Sequence, residues 1–147
     1  MMLDKLQNDL KNAQLGLDEI KVSTLRLLLS EIHNAKIQKG EVSEADVISV
    51  IQREVKKRKE AAEGFRQGGR QEQAGKEDTE AKILEGYLPA QLSDEELTEI
   101  VDGAIKELGA TGISDMGKVI GAVMGKVSGQ ADGGRVSGIV KEKLMSS

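Results

Sequence analysis

Apolar residues recur along this chain at every third or fourth position, and this spacing constrains the fold more than any other feature. Leu3, Leu6 and Leu10 begin the pattern, and Ile51 and Val55 continue it. Residues spaced in this way share one face of an α-helix, whereas a half-buried strand alternates at every second residue. Period-two alternation is weak throughout the sequence. The pattern therefore predicts an all-α fold.

Turn and capping residues divide the pattern into seven predicted helices, the fourth gathering around Ala81, Leu84 and Leu88. The only proline, Pro89, has to end this fourth helix, because proline disfavours helical geometry in the residue before it. Ser93 then stands three residues before Glu96 in a capping box that starts a fifth helix. We predict a four-helix N-terminal domain over residues 1–89 and a three-helix C-terminal domain over residues 90–147.

The residue composition argues against most kinds of reaction centre. The 147 residues include no cysteine, which excludes disulfides, thiolate nucleophiles and zinc sites built on cysteine. His33 is the only histidine, and it lies beside a row of leucines where we interpret it as a helix-edge residue. Acidic side chains are scattered over the predicted helix faces instead of clustering as metal ligands do. We expect no catalytic residues, no metal and no cofactor.

The sequence also bears on location and on partners. No apolar run is long enough for a transmembrane helix, and the first ten residues carry Asp4 and Asp9 in place of the apolar core of a signal peptide. We therefore expect a cytoplasmic protein without a membrane partner. Because the formal net charge is −4, any contact with nucleic acid would have to come from a local basic patch.

Basic residues concentrate in two segments. The stretch after residue 112 is locally positive on an acidic protein, which fits a small footprint on a phosphate backbone. The contact residues that we predict there are Lys118, Lys126, Arg135 and Lys141. The second segment comprises Arg53, Lys56, Lys57, Arg58 and Lys59 and is typical of a solvated helix face.

Arg58 differs from its neighbours because it falls on the same helical stripe as Ile51, Val55 and Ala62. An arginine on an apolar stripe should bury its aliphatic stem and pair its guanidinium with a carboxylate. We therefore predict an ion pair for Arg58 inside the N-terminal domain.

Three glycines in the sixth predicted helix follow one another at every fourth position: Gly117, Gly121 and Gly125. A glycine within a helix costs about 1 kcal/mol relative to alanine, so a compensating role is expected. One explanation is close packing by a neighbouring helix of the chain. The other is an exposed face on which a rigid partner docks.

Three segments resemble the signatures of the GatB/YqeY family. They are LEGYLPAQLSDEEL at residues 84–97, DMGKVIGAVM at residues 115–124 and GQADGGRV at residues 129–136. Arg26 and the run 54–59 also resemble the N-terminal half of the family. The resemblance thus extends over essentially the whole chain and identifies the C-terminal domain as one of the GatB/YqeY type.

The resemblance implies a relative of the tail domain of the B subunit of glutamine-dependent aminoacyl-tRNA amidotransferase, where the tail helps to hold tRNA. On this basis we expect a tRNA-associated accessory module that uses the four basic residues and has no catalytic centre of its own. The alternative is a protein–protein adaptor that docks a partner helix on the three glycines. A carbon–nitrogen ligase activity would follow from the family name alone.

Overall fold

The computed structural model describes residues 1–146, and within them it contains helices and no strands. The helices are α1 (Met2–Leu15), α2 (Glu19–Lys39), α3 (Glu44–Gln67), α4 (Gln71–Glu85), α5 (Asp94–Leu108), α6 (Met116–Val127) and α7 (Gly133–Met145). A 3₁₀ turn, Ile113–Asp115, directly precedes α6. The prediction of an all-α fold is confirmed.

The helices form two compact units. The first unit, Met1–Leu88, contains α1 to α4, and the second unit begins at Pro89 and contains α5 to α7. Four helices followed by three are what the capping and turn residues predicted. Each unit encloses an apolar core of its own.

Leucine and isoleucine side chains fill the core of the first unit. Leu6 of α1, Leu25 and Leu28 of α2, and Ile51 of α3 are completely buried, together with Leu84 at the end of α4. These residues lie on the helical stripes that the sequence periodicity predicts, so the apolar face of each helix is turned towards the others.

Side chains fix the start of α3. Ser43 Oγ accepts a hydrogen bond from the Asp46 amide at 3.1 Å, and the Asp46 carboxylate accepts one from the Ser43 amide at 3.0 Å. Lys39 Nζ also donates to Asp46 Oδ1 at 2.7 Å. The hydrogen bond from Lys39, with those from Ser43, lowers the pKa of Asp46 to about 2. A helix N-terminus favours this negative charge as well.

Helix α4 begins much earlier than the sequence predicts, at Gln71 instead of near Ala81. It pairs with α3 through three small buried side chains, those of Ala62, Ala74 and Ala81. Arg66 and Asp78 form an ion pair across the same helix pair. Single alanines among polar residues give too weak a periodic signal for the first half of this helix to be recognised in the sequence.

Valines dominate the core of the second unit. The completely buried residues include Val101 of α5, Val119 and Val123 of α6, and Val136 and Val140 of α7. Helix α5 starts at Ser93, whose Oγ accepts from the Glu96 amide at 3.1 Å while Glu96 Oε1 accepts from the Ser93 amide at 3.1 Å. The hydrogen bonds from Ser93 hold the pKa of Glu96 below its usual value.

Removing this cap should destabilise the second unit. We expect Ser93→Ala to lower the free energy of unfolding by about 1 kcal/mol, because the Glu96 amide loses the hydroxyl that accepts its hydrogen bond. Urea unfolding followed by circular dichroism measures the loss. The matched control is Ser137→Ala in α7, where the hydroxyl bonds only to the Gly134 carbonyl. Equal losses in both variants would contradict a capping role for Ser93.

Candidate nucleic-acid interface

Helix α6 has two faces of opposite character. Val119, Val123 and Val127 are completely buried, whereas Gly117, Gly121 and Gly125 are exposed. Successive residues of an α-helix are rotated by about 100°, so the three glycines lie opposite the valines. Lys118 lies on the same exposed side. We call the surface formed by Gly117, Gly121 and Gly125 the glycine face.

The glycine face is open. A β-carbon built at any of its three glycines would meet no atom within 4 Å. Neither α5 nor α7 of the same unit therefore packs closely on it. Docking of a partner on this face stays a prediction.

The four basic residues predicted as contacts occupy two different environments. Lys118 and Lys141 are exposed, and neither forms an ion pair within the part of the chain that the structure describes. Lys126 Nζ, in contrast, lies 3.0 Å from Glu107 Oε2 of α5. Arg135 Nη2 donates to Asp94 Oδ1 and to the Leu92 carbonyl oxygen, both at 2.8 Å. Arg135 thus braces the start of α5.

The sequences around the starts of α6 and α7 share a pattern, so the ion pairs of corresponding basic residues in the two helices can be compared. An aspartate, a glycine, a basic residue and a valine at residues 115, 117, 118 and 119 recur at residues 132, 134, 135 and 136. The last lysine of each helix pairs with an acid of α5: Lys126 with Glu107, and Lys143 with Asp102 at 3.5 Å. Arg135 also pairs with α5, but its counterpart Lys118 does not.

The second basic segment is not one continuous patch. Lys57 Nζ lies 3.4 Å from Glu54 Oε2, and Lys59 Nζ lies 2.6 Å from Glu85 Oε1. Of the five residues in this segment, only Arg53 and Lys56 are exposed and form no ion pair with the described residues 1–146. Ion pairs made by the other members neutralise much of the charge that the sequence suggests.

Arg58, the remaining member, is buried and takes no part in a surface. Its Nη1 donates to Glu54 Oε1 at 3.1 Å and its Nε donates to Glu80 Oε2 at 3.3 Å. Both carboxylates are themselves buried. The prediction that Arg58 pairs with a carboxylate is confirmed, and its burial separates Arg58 from the exposed members of the segment.

A second polar cluster, besides that of Arg58, surrounds Tyr87, and no sequence motif predicts it. Tyr87 Oη donates to Asp9 Oδ2 at 2.5 Å, and Lys5 Nζ lies 5.4 Å from the centre of the ring. Burial raises the pKa of Tyr87, and the hydrogen bond to Asp9 raises it further. The partners come from the opposite end of the first unit's sequence, so local spacing carries no signal for them.

Neither a cluster of metal ligands nor a membrane-spanning helix is found among the described residues. His33 is exposed on α2. Residues 1–146 contain no group of three histidine, aspartate or glutamate side chains arranged to hold a metal ion. None of their helices is both long and apolar enough to span a bilayer.

Comparison with known proteins identifies relatives. The protein bearing the name "Altered inheritance of mitochondria protein 41, mitochondrial" in Pyrenophora tritici-repentis is 32% identical over 135 residues, covering 89% of this chain and 74% of the relative. Its namesake in Clavispora lusitaniae is 30% identical over 129 residues, covering 86% and 74%. The one in Eremothecium gossypii is 32% identical over 113 residues, covering 74% and 62%.

These names contradict the expected cytoplasmic location, since the relatives are named as mitochondrial proteins. The expectation rested on the lack of a secretory signal pattern and of a transmembrane run, and neither feature distinguishes the cytosol from a mitochondrion. The family model described as "Yqey-like protein" matches residues 3–144. This match covers nearly all of the 147 residues, and the chain belongs to the YqeY-like protein family.

Proposed function

We propose that the second unit is a tRNA-associated binding module that contacts phosphates through Lys118 and Lys141 and has no reaction centre of its own. One observation carries the proposal. Two exposed ammonium groups on packed neighbouring helices lack a carboxylate partner within residues 1–146. Unpaired lysines are available to replace the counterions of a phosphate backbone.

The glycine face supports the same proposal. Lys118 lies beside it, and the absence of side chains on three successive turns lets a phosphate backbone come close to the helix. Such contacts position a nucleic acid without reading its bases. Lys126 and Arg135 belong to the proposed surface as secondary contacts, because each must first exchange its carboxylate on α5. Since the relatives are named as mitochondrial proteins, the ligand that we propose is a mitochondrial tRNA.

Replacing both unpaired lysines tests this proposal. We expect Lys118→Ala combined with Lys141→Ala to weaken binding of different tRNAs about equally. The slope of log affinity against log salt should become shallower by about 2, since each lost phosphate contact contributes roughly 0.9. Fluorescence anisotropy with labelled tRNA at several salt concentrations measures both quantities.

The matched control removes one charge from α7 at a position that is already paired with α5 and lies outside the proposed surface. It is Lys143→Ala, compared with Lys141→Ala alone, and we expect it to change the salt slope much less. Failure of the parent protein to bind tRNA at low salt would refute the proposal. An equal loss of slope in the control would place the contact elsewhere.

The open glycine face also favours a second candidate function, a protein adaptor that docks a partner helix. Ile120 and Met124 lie on the same helix beside the glycines and are only partly buried, so a partner helix would cover apolar side chains there. Docking driven by apolar contacts is far less sensitive to salt than phosphate binding. A partner that stays bound at high salt and is released by changes on the glycine face would favour the adaptor.

A further inference from the structure

We propose that the connection between the two units is a hinge whose ends are each fixed to their own unit, so that reorientation is confined to Pro89 and Ala90. The connection lies within the segment 84–97 that the sequence analysis singled out and that the proposed function does not use. Its hydrogen bonds divide it into two anchored ends and a short pivot that one exposed side-chain bond spans.

Tyr87 fixes the end that belongs to the first unit. Its side chain is only 8% exposed, and its hydroxyl donates to Asp9 Oδ2 of α1 at 2.5 Å. The amides of Tyr87 and Leu88 donate to the Leu84 and Glu85 carbonyl oxygens, both at 3.0 Å, which continues the winding of α4. The chain is therefore held to the first unit as far as Leu88.

Two consecutive residues fix the end that belongs to the second unit. The Leu92 amide donates to the Gln130 carbonyl oxygen at 2.9 Å, and Gln91 Nε2 donates to the Gly129 carbonyl oxygen at 3.0 Å. The Leu92 carbonyl oxygen accepts from Arg135 at 2.8 Å. Arg135 therefore has a second role here, since it holds the hinge as well as the start of α5.

Only Pro89 and Ala90 remain between these ends. One exposed hydrogen bond, from Gln91 Nε2 to the Pro89 carbonyl oxygen at 2.9 Å, spans them. The proline ring fixes φ of Pro89 near −65°, and it also restricts the backbone of Leu88 before it. Reorientation therefore uses the two dihedrals of the exposed Ala90, together with ψ of Pro89 when the Gln91 bond opens. A pivot of this size limits the range of orientations that the connection permits.

Distance distributions between the units test the hinge. The natural chain has no cysteine, so His33→Cys and Glu99→Cys provide unique exposed labelling sites in the first and second units for single-molecule energy transfer. We expect Tyr87→Phe, which keeps the ring but loses the hydroxyl, to broaden the distribution. Asp9→Ala should broaden it to the same extent. The two changes together should add nothing further, since they break one shared bond.

Two further variants complete the experiment. Pro89→Gly loosens the pivot itself and should also broaden the distribution, whereas Ser23→Ala removes an exposed hydroxyl bonded to the Ile20 carbonyl and should not. Circular dichroism checks that every variant remains helical. The proposal is overturned if Pro89→Gly broadens the distribution while Tyr87→Phe and Asp9→Ala leave it unchanged, because the anchor would then be irrelevant. It is equally overturned if Pro89→Gly has no effect.

Discussion

Replacing Arg58 with methionine should lower the free energy of unfolding of the first unit by about 3–5 kcal/mol, the usual loss when one partner of a buried ion pair is removed. Arg58 is 7% exposed and lies between two buried carboxylates, those of Glu54 and Glu80. Methionine fills much of the space of the arginine stem but leaves both carboxylates without their main cation. Urea unfolding followed by circular dichroism measures the change.

Two variants separate the loss of pairing from a general sensitivity of α3. Lys56→Ala, at an exposed position on the same helix, should change stability by no more than about 0.5 kcal/mol. Combining Arg58→Met with Glu54→Leu and Glu80→Leu should recover most of the loss, because a buried charge cluster is often replaced by apolar residues without net cost. A triple variant as unstable as Arg58→Met would show that shape, not charge, makes Arg58 necessary.

Arg58 also shows which parts of a buried ion-pair cluster can be predicted from the sequence. Its place on an apolar stripe predicts burial and a carboxylate partner, because helical period alone decides which face a residue occupies. Glu54 is within reach of this reasoning, since it lies one turn earlier on the same helix. Glu80 is not, because it comes from α4, and the sequence does not show which residues of α4 face Arg58.

The basic residues of the second unit show the opposite case. Counting charges along the sequence places four residues in one group: Lys118, Lys126, Arg135 and Lys141. In the structure, Lys126 and Arg135 form ion pairs with acids of α5, whereas the other two do not. Which lysine meets an acid depends on how the three helices pack, and charge order along the chain does not contain that information. The same holds for Tyr87, whose partner Asp9 is distant in sequence. The face that a residue occupies on its helix can thus be predicted from local sequence spacing, whereas its partners on other helices depend on how the helices pack.

Replacing Gly121 and Gly125 together with alanine should raise the free energy of unfolding of the second unit by about 2 kcal/mol. Each position is helical, and a β-carbon there meets no atom within 4 Å. Alanine therefore gains the roughly 1 kcal/mol of helix propensity that glycine lacks, without a steric penalty. Thermal and urea unfolding of the variant and its parent measure the gain.

The same two methyl groups should weaken binding of any partner that lies on the glycine face. A methyl inserted into a close contact typically costs 1–3 kcal/mol, so a loss of about tenfold or more is expected. Gly103→Ala is the matched control, because Gly103 is an exposed helical glycine of α5 with equally open surroundings. It should stabilise the unit by a similar amount per residue and leave binding unchanged.

If the double variant gains stability and binds tRNA or protein as the parent does, the glycines are not kept for docking and the glycine face is not the contact surface. If it loses stability, the space beside α6 is filled by something that the isolated chain does not contain, such as a second copy, and a matching loss of association measured by sedimentation would identify it.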